Sequence, residues 1–79
     1  MRLVQNISHA VFKISLFSTE KEFIVQLEAG PMIQSYKYSK EIYTSASEVE
    51  QALSEEFLDR VHDLFNDMFL NRKSMIDAK

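Results

Sequence analysis

The chain has 79 residues, of which 46% are hydrophobic and 27% charged, with a net charge of −3 and no cysteine. This balance is typical of a globular protein and argues against a disordered chain. The length predicts one domain, and the absence of cysteine excludes disulfides, thiolate metal ligands and cysteine nucleophiles. Because a domain this small buries only about 60% of its unfolded surface, we expect it to gain stability by oligomerising or by docking on a partner.

Targeting signals are not visible in the sequence. No apolar run approaches the ~20 residues of a membrane span. The segment 1–8 has no extended hydrophobic region of the kind that signal peptides carry. We therefore expect no membrane interaction and a cytoplasmic location.

The charge is distributed unevenly along the chain. Residues 1–44 carry a net charge of +1, residues 45–70 carry −6, and the short tail 71–79 carries +2. The negative charge therefore belongs to one segment, and the last nine residues form a basic tail.

The first half of the chain predicts a β-meander over residues 10–43. Apolar and polar residues alternate there in three stretches, which lie at residues 9–17, 22–28 and 32–43. A polar turn joins the first two stretches, and Gly30 and Pro31 separate the last two. The third stretch alternates less cleanly and contains lysines, which favours an edge strand. For residues 3–7 three interpretations stay open: a fourth short strand, the start of a long first strand, or a helical turn.

Helix signals begin at residue 45. Ser45 and Ser47 each precede a glutamate by three residues, which is the capping-box spacing, and the segment 47–72 then follows a helical period. Ser54 could start a second helix, so one helix and two helices are equally compatible with the sequence. The predicted fold class is α+β: a three-stranded antiparallel meander followed by a long C-terminal amphipathic helix, with or without a break near Ser54, packed on one face of the sheet.

The predicted helix has more apolar surface than one sheet face should cover. Its apolar side chains span an arc of roughly 160° at 100° per residue, whereas a surface helix usually shows a stripe of about 100°. As one helix over residues 47–70, it would also be ~36 Å long at 1.5 Å per residue, against ~23 Å for a strand of seven residues. We expect Phe57, Val61, Leu64 and Met68 to cover the sheet. A homodimer or partner interface is predicted at Leu58, Val61, Phe65, Met68 and Phe69.

Two alternatives to a homodimer stay open. A break at Ser54 would give two shorter helices that hide the surplus surface within a monomer, and an obligate hetero-partner would cover the same residues. His62 borders the apolar arc, so oligomerisation through that edge is predicted to depend on pH near neutrality.

The opposite side of the predicted helix is acidic. Its carboxylates are Glu55, Glu56, Asp59, Asp63 and Asp67. A solvated face is the ordinary interpretation of such a row, and an electrostatic docking face for a basic protein partner is the functional one.

Tyrosines and lysines alternate in the third predicted strand, at Tyr36, Lys37, Tyr38 and Lys40. Single-strand nucleic-acid binders use aromatic platforms flanked by basic residues. This pattern supports an alternative function as a small single-stranded nucleic-acid-binding protein. The ordinary interpretation is an edge strand whose tyrosines half-cover the core.

No pattern in the chain predicts catalysis or a cofactor. There is no nucleophile elbow, and a single glycine excludes phosphate-binding glycine loops. Asp59, His62 and Asp63 share one helix face with Asn66, a spacing that is more typical of solvated residues than of a metal site. We expect a non-enzymatic protein-interaction or regulatory module, such as an inhibitor, that forms a homodimer and binds no metal.

Overall fold

The computed structural model describes residues 1–79, and the chain forms four strands followed by two helices. In chain order these are β1 Arg2–Ile7, β2 Lys13–Ser18, β3 Glu22–Ala29, β4 Met32–Ser39, α1 Ala46–Ala52 and α2 Glu55–Asp77. All four strands belong to one antiparallel sheet in the order β1-β2-β3-β4. The predicted α+β class and the C-terminal helical segment are confirmed, whereas the predicted number of three strands is wrong by one.

The additional strand is β1, which covers the segment whose structure the sequence left open. Its pairing with β2 shifts by one residue between Leu3 and Gln5, so Val4 is the extra residue of a β-bulge. A bulge breaks the two-residue alternation of side chains. That break explains why the segment shows no clear strand pattern.

The turn between β3 and β4 depends on the only glycine of the chain. Ala29 pairs with Met32, so Gly30 and Pro31 form a two-residue hairpin loop. Gly30 has a φ of +58°, at the loop position that a type II′ turn reserves for glycine. The turn therefore fixes the register of β4 against β3.

Serine caps divide the helical segment into two helices. The side chain of Ser45 accepts a hydrogen bond from the Glu48 N–H at the start of α1, and Ser54 accepts one from the Phe57 N–H at the start of α2. Of the two alternatives, the structure therefore has the break at Ser54. Ser47 lies within α1 and caps nothing.

The helices cover one face of the sheet, and a single apolar cluster lies between the two layers. Its nine buried members are Phe12, Ile14, Leu16, Phe23, Val25, Leu27, Val49, Val61 and Phe65. Every second residue of β3 belongs to this cluster, as expected for a strand with one covered face. Neither helix combines the length and the hydropathy needed to cross a bilayer.

One polar side chain, Gln34 of β4, links the sheet to α2 inside this core. It is 9% exposed. Its Nε2 donates a hydrogen bond of 3.0 Å to the Val61 carbonyl, and its Oε1 accepts one of 2.7 Å from the Tyr36 hydroxyl. Both ends of the buried amide are thus satisfied, and the bond to Val61 sets the position of α2 along β4.

Candidate protein-interaction surface

Helix α2 is longer than the sheet beneath it. Its 23 residues span ~34 Å at 1.5 Å per residue, whereas the eight-residue strands β3 and β4 span ~26 Å. The ring of Phe69 marks the end of the sheet, because it lies 3.8 Å from the place of a Cβ on Gly30. Every residue from Phe69 to Lys79 is exposed. The helical residues beyond this point, Leu70–Asp77, are here called the projecting turns.

The projecting turns carry large apolar side chains that nothing covers. Leu70, Met75 and Ile76 are 66%, 80% and 51% exposed. Just before them, Phe69 is 39% exposed and Leu64 47% exposed. At 100° per residue, Phe69 and Ile76 fall on one side of the helix and Leu64 and Met75 on another, whereas Leu70 points away from both pairs. Isolated exposed apolar residues are common on protein surfaces, but pairs that share one side of a helix extend into patches, and such patches mark interaction sites.

A groove runs between the projecting turns and the start of β4. Its volume is about 590 Å³, and its apolar lining includes Met32, Met68 and Met75. Arg72 also lines the groove and has no carboxylate partner within salt-bridge distance. Methionine side chains are flexible and adapt to differently shaped partners, so this surface is suited to protein contacts.

The structure corrects part of the predicted interface. Val61 and Phe65 are only 1% and 2% exposed and belong to the core of the protomer. Leu58 and Met68 are half-buried against the same core. Of the five predicted residues, Phe69 alone is exposed, and 39% of its surface is accessible.

Two features of the fold explain why Phe65 is covered. Phe12, in the connection between β1 and β2, packs against it with 5.4 Å between ring centroids. Strand β1 also widens the sheet, since Val4 and Ile7 pack against the core cluster. A three-stranded sheet would have left this part of the apolar arc uncovered.

The exposed surface lies further along the helix than predicted. Leu64 was expected to cover the sheet but is nearly half exposed, and α2 continues to Asp77 rather than ending near residue 72. Leu70, Met75 and Ile76 were therefore missed. The spacing of Leu64, Met68 and Met75, at four and then seven residues, continues the helical period and could have identified Met75.

The acidic row on α2 is exposed to solvent. Glu55, Glu56, Asp59, Asp63 and Asp67 are all exposed. Only Glu56 makes a salt bridge, at 3.1 Å to Arg60, and both side chains are more than three-quarters exposed. Such a pair contributes little to stability, so the row keeps its negative charge and faces water.

The Tyr and Lys residues of β4 do not form one platform. Tyr36 packs edge-on against Phe57 of α2, and Tyr38 lies with Tyr43 on the side covered by the helices. Lys37 lies on the opposite face of the strand, because successive residues alternate. The ammonium of Lys40 lies 5.0 Å from the ring centroid of Phe23. The predicted nucleic-acid face therefore needs correction. Tyr36 and Tyr38 are half-buried against the core, so they offer no exposed stack of rings to nucleic-acid bases.

A small apolar cavity of about 90 Å³ lies where the two helices meet β4. Its lining includes Tyr38, Tyr43, Val49 and Phe57. Burial raises the pKa of the Tyr38 hydroxyl above its ordinary value of 10.0, and the neighbouring Tyr43 and Tyr36 hydroxyls add to this effect.

The two histidines approach the same aromatic ring. The His9 ring stacks on the Phe12 ring, with 4.9 Å between centroids. The His62 ring, on α2, lies 6.3 Å from the Phe12 ring between centroids. The Nδ1 of His9 accepts hydrogen bonds from the Val11 and Phe12 N–H groups, which holds the connection between β1 and β2 in a tight turn. No group of three or more His, Asp or Glu side chains is arranged to hold a metal ion.

Comparison with known proteins adds no assignment to this surface. No protein family, no curated protein and no solved structure matches the chain.

Proposed function

We propose that this protein is a non-enzymatic protein-interaction module whose docking element is formed by Phe69 and the projecting turns of α2. The observation that carries the proposal is the continuation of the apolar helix surface beyond the end of the sheet. Within the chain, that continuation contributes nothing to the core, because every residue from Phe69 onwards is exposed. A partner surface is the natural cover for it.

Burial of the exposed apolar side chains on the projecting turns supplies enough free energy for a specific contact. Burying a Leu, Ile or Met side chain completely is worth roughly 1.5–3 kcal/mol relative to leaving it exposed. Leu70, Met75 and Ile76 are each more than half exposed. A partner on the groove side of the helix would bury the exposed parts of Met75 and Ile76, which supplies a few kcal/mol, and the three-methionine groove extends the contact area.

The acidic row supports a regulatory role in addition. Glu55, Asp59, Asp63 and Asp67 have no salt-bridge partner within the chain. Unpaired carboxylates attract basic proteins and increase the rate at which they associate. A module that holds one partner at the projecting turns and presents this row to a basic protein would act as a regulator or inhibitor of that protein.

Site-specific photo-crosslinking in the native host tests the docking element. A photoreactive residue replaces Met75 on the projecting turns, and in a matched control it replaces Lys21, which is exposed in the turn at the other end of the sheet. We expect discrete protein adducts from position 75 and none from position 21. Equal labelling at the two positions, or no adduct at position 75, would show that the projecting turns are not a docking element.

A further inference from the structure

We propose that the outer edge of β4 is a second docking site, and that its occupant is a short extended segment of another protein that adds a fifth strand to the sheet. This inference goes beyond the docking element on α2 and does not depend on it. The segment pairs antiparallel with β4, places apolar side chains beside α2 and places a carboxylate opposite Lys37.

Three residues of β4 have backbone groups that point away from the sheet. β4 lies at the edge of the sheet, and in an antiparallel pair only every second residue exchanges hydrogen bonds with its neighbour. The pairing of Met32 with Ala29 across the two-residue turn assigns the even-numbered residues of β4 to β3. The N–H and C=O groups of Ile33, Ser35 and Lys37 therefore point outward, and they form no backbone hydrogen bond with a turn, loop or helix cap. These groups are here called the free edge.

The two edges of the sheet differ in their protection against further pairing. β1, at one edge, has the bulge at Val4, and a bulge interrupts the regular ladder that an added strand needs. β4, at the other edge, has eight residues that contain no proline and pair with β3 in an unbroken register. β4 is therefore the edge that can accept another strand.

Helix α2 presents one of its sides to the free edge. On that side Phe57 packs against Tyr36 of β4, whereas His62 approaches Phe12 in the connection between β1 and β2. At 100° per residue, Phe57 and His62 lie ~140° apart around the helix. One side of α2 therefore faces the free edge, and the other faces β1 and β2.

Leu64 extends the apolar side of α2 that faces the free edge. It lies ~20° from Phe57 around the helix and about two turns further along it. Leu64 is 47% exposed, and the sheet ends at β4, so no further strand covers it. On the open face of the sheet, Ile33 is 52% exposed at the same edge. Because the side chains of an added strand alternate between the two faces, one set covers Leu64 and the other covers Ile33.

The charge at the free edge specifies the residue that lies opposite it. Lys37 is the only charged residue of β4 and forms no salt bridge. Opposite charges on paired strands stabilise a sheet, and like charges destabilise it. A Glu or Asp opposite Lys37, with apolar residues next to it that point toward α2, is therefore favoured. A second copy of β4 cannot supply this carboxylate, because the strand contains no Asp or Glu.

Peptides methylated on single backbone nitrogens test the proposal without altering the protein. The probe is the acetylated and amidated peptide Glu-Val-Thr-Val-Thr, whose glutamate is designed to face Lys37 and whose valines are designed to face α2. We expect it to shift the amide NMR signals of Ile33, Ser35 and Lys37 in a saturable manner. Methylation of the third residue, whose N–H faces β4, should weaken binding at least about tenfold, because it removes a hydrogen bond and blocks close approach of the strands. Methylation of the second residue, whose N–H faces solvent, is the matched control and should weaken binding less than about twofold.

Variants of the free edge give the same test from the side of the protein. Ser35→Pro removes the central outward N–H, and proline is tolerated where the N–H of an edge strand faces solvent. Ser35→Ala keeps the N–H and is the matched control. We expect Ser35→Pro to weaken peptide binding at least about tenfold and Ser35→Ala to leave it unchanged. Lys37→Glu should prefer a peptide in which lysine replaces the glutamate. Circular dichroism checks that each variant is folded.

The outcomes decide between this occupant and the others. Binding that is lost with the third-residue methyl group and with Ser35→Pro, but kept in both controls, supports the proposal. No saturable shift, shifts confined to the projecting turns, or equal weakening by the two methyl groups overturn it and leave the docking element on α2 standing. A solution mass that falls in Ser35→Pro but not in Ser35→Ala also overturns it, because a second copy would then occupy the free edge.

Discussion

The buried hydrogen bonds of Gln34 give the most quantitative prediction about the fold. Substituting Tyr36→Phe removes the hydroxyl that donates to the Gln34 Oε1 at 2.7 Å. Gln34 is 9% exposed, so water has little access to the acceptor that is left. An unsatisfied buried acceptor costs about 1–3 kcal/mol. Because Tyr36 is itself only half-buried, we expect a loss near the lower end of this range.

Thermal or urea denaturation at fixed protein concentration measures the effect. For a domain of this size, 1 kcal/mol corresponds to a decrease in Tm of roughly 4–8 °C. Tyr43→Phe is the matched control, since the Tyr43 ring also packs against the core cluster while its hydroxyl makes no hydrogen bond within the chain. We expect the control to change the free energy of unfolding by less than about 0.5 kcal/mol.

A double-mutant cycle shows whether the amide is the cause. Gln34→Leu removes the acceptor, so Tyr36→Phe should cost less in that background than in the wild type. We expect a coupling energy of about 1 kcal/mol between the two positions. Additive effects, or a Tyr36→Phe variant as stable as the wild type, would refute the view that this network anchors α2 to β4.

The remaining predictions concern pH, helix capping and the two phenylalanines of α2. Because burial raises the pKa of Tyr38 above 10.0, the neutral hydroxyl stabilises the fold below pH 10 and this contribution is lost as the pH rises further. The wild type should therefore lose more stability than Tyr38→Phe between pH 9.5 and 11, as followed by circular dichroism. Ser54→Ala should cost about 1 kcal/mol by removing the N-cap of α2, and Ser54→Asn should restore most of it in urea denaturation. Phe65→Ala should destabilise the chain by about 3–5 kcal/mol, and Phe69→Ala by about 1 kcal/mol. Equal losses at these two positions would contradict the burial described here.

The sequence predicted those elements whose local chemistry agrees with the final packing. In strands β2 and β3 every second residue is apolar because one face lies on the core, and on the opposite face only Ser15 and Ile24 are buried. Ser45 and Ser54 marked both helix starts because a serine hydroxyl can accept a backbone N–H there. These signals are local, so a single sequence reveals them.

Strand β1 and Phe12 were harder to predict because their roles depend on distant partners. The bulge at Val4 can be recognised only from its pairing with β2. The Gln5 Nε2 donates a hydrogen bond of 2.9 Å to the carboxylate of Glu50, which lies 45 residues later in the chain. Phe12 belongs to a connection rather than a strand and meets Phe65 only after α2 has docked. Without these contacts, Phe65 was assigned to a partner instead of the core.

The position of the interaction surface could be predicted only in part. The comparison of helix and strand lengths assumed one helix over residues 47–70, whereas α2 extends beyond the sheet because it starts at Glu55 and continues to Asp77. Which residues it exposes depends on where α2 lies along the sheet, and the hydrogen bond from Gln34 to the Val61 carbonyl holds it there together with the core contacts of Val61 and Phe65. A buried glutamine in a strand has no distinctive sequence signal, so the exposed stretch was placed too early in the helix.

The most direct test of the account is the solution mass of the chain compared with that of a variant carrying Met75→Asp and Ile76→Asp. Both residues are exposed and contribute nothing to the core, so the variant should fold with unchanged circular dichroism. Light scattering at micromolar to hundred-micromolar concentration should give twice 9.2 kDa for the wild type and 9.2 kDa for the variant. A wild-type mass of 9.2 kDa throughout, or a variant that remains a dimer, would contradict a homodimer that forms through the projecting turns.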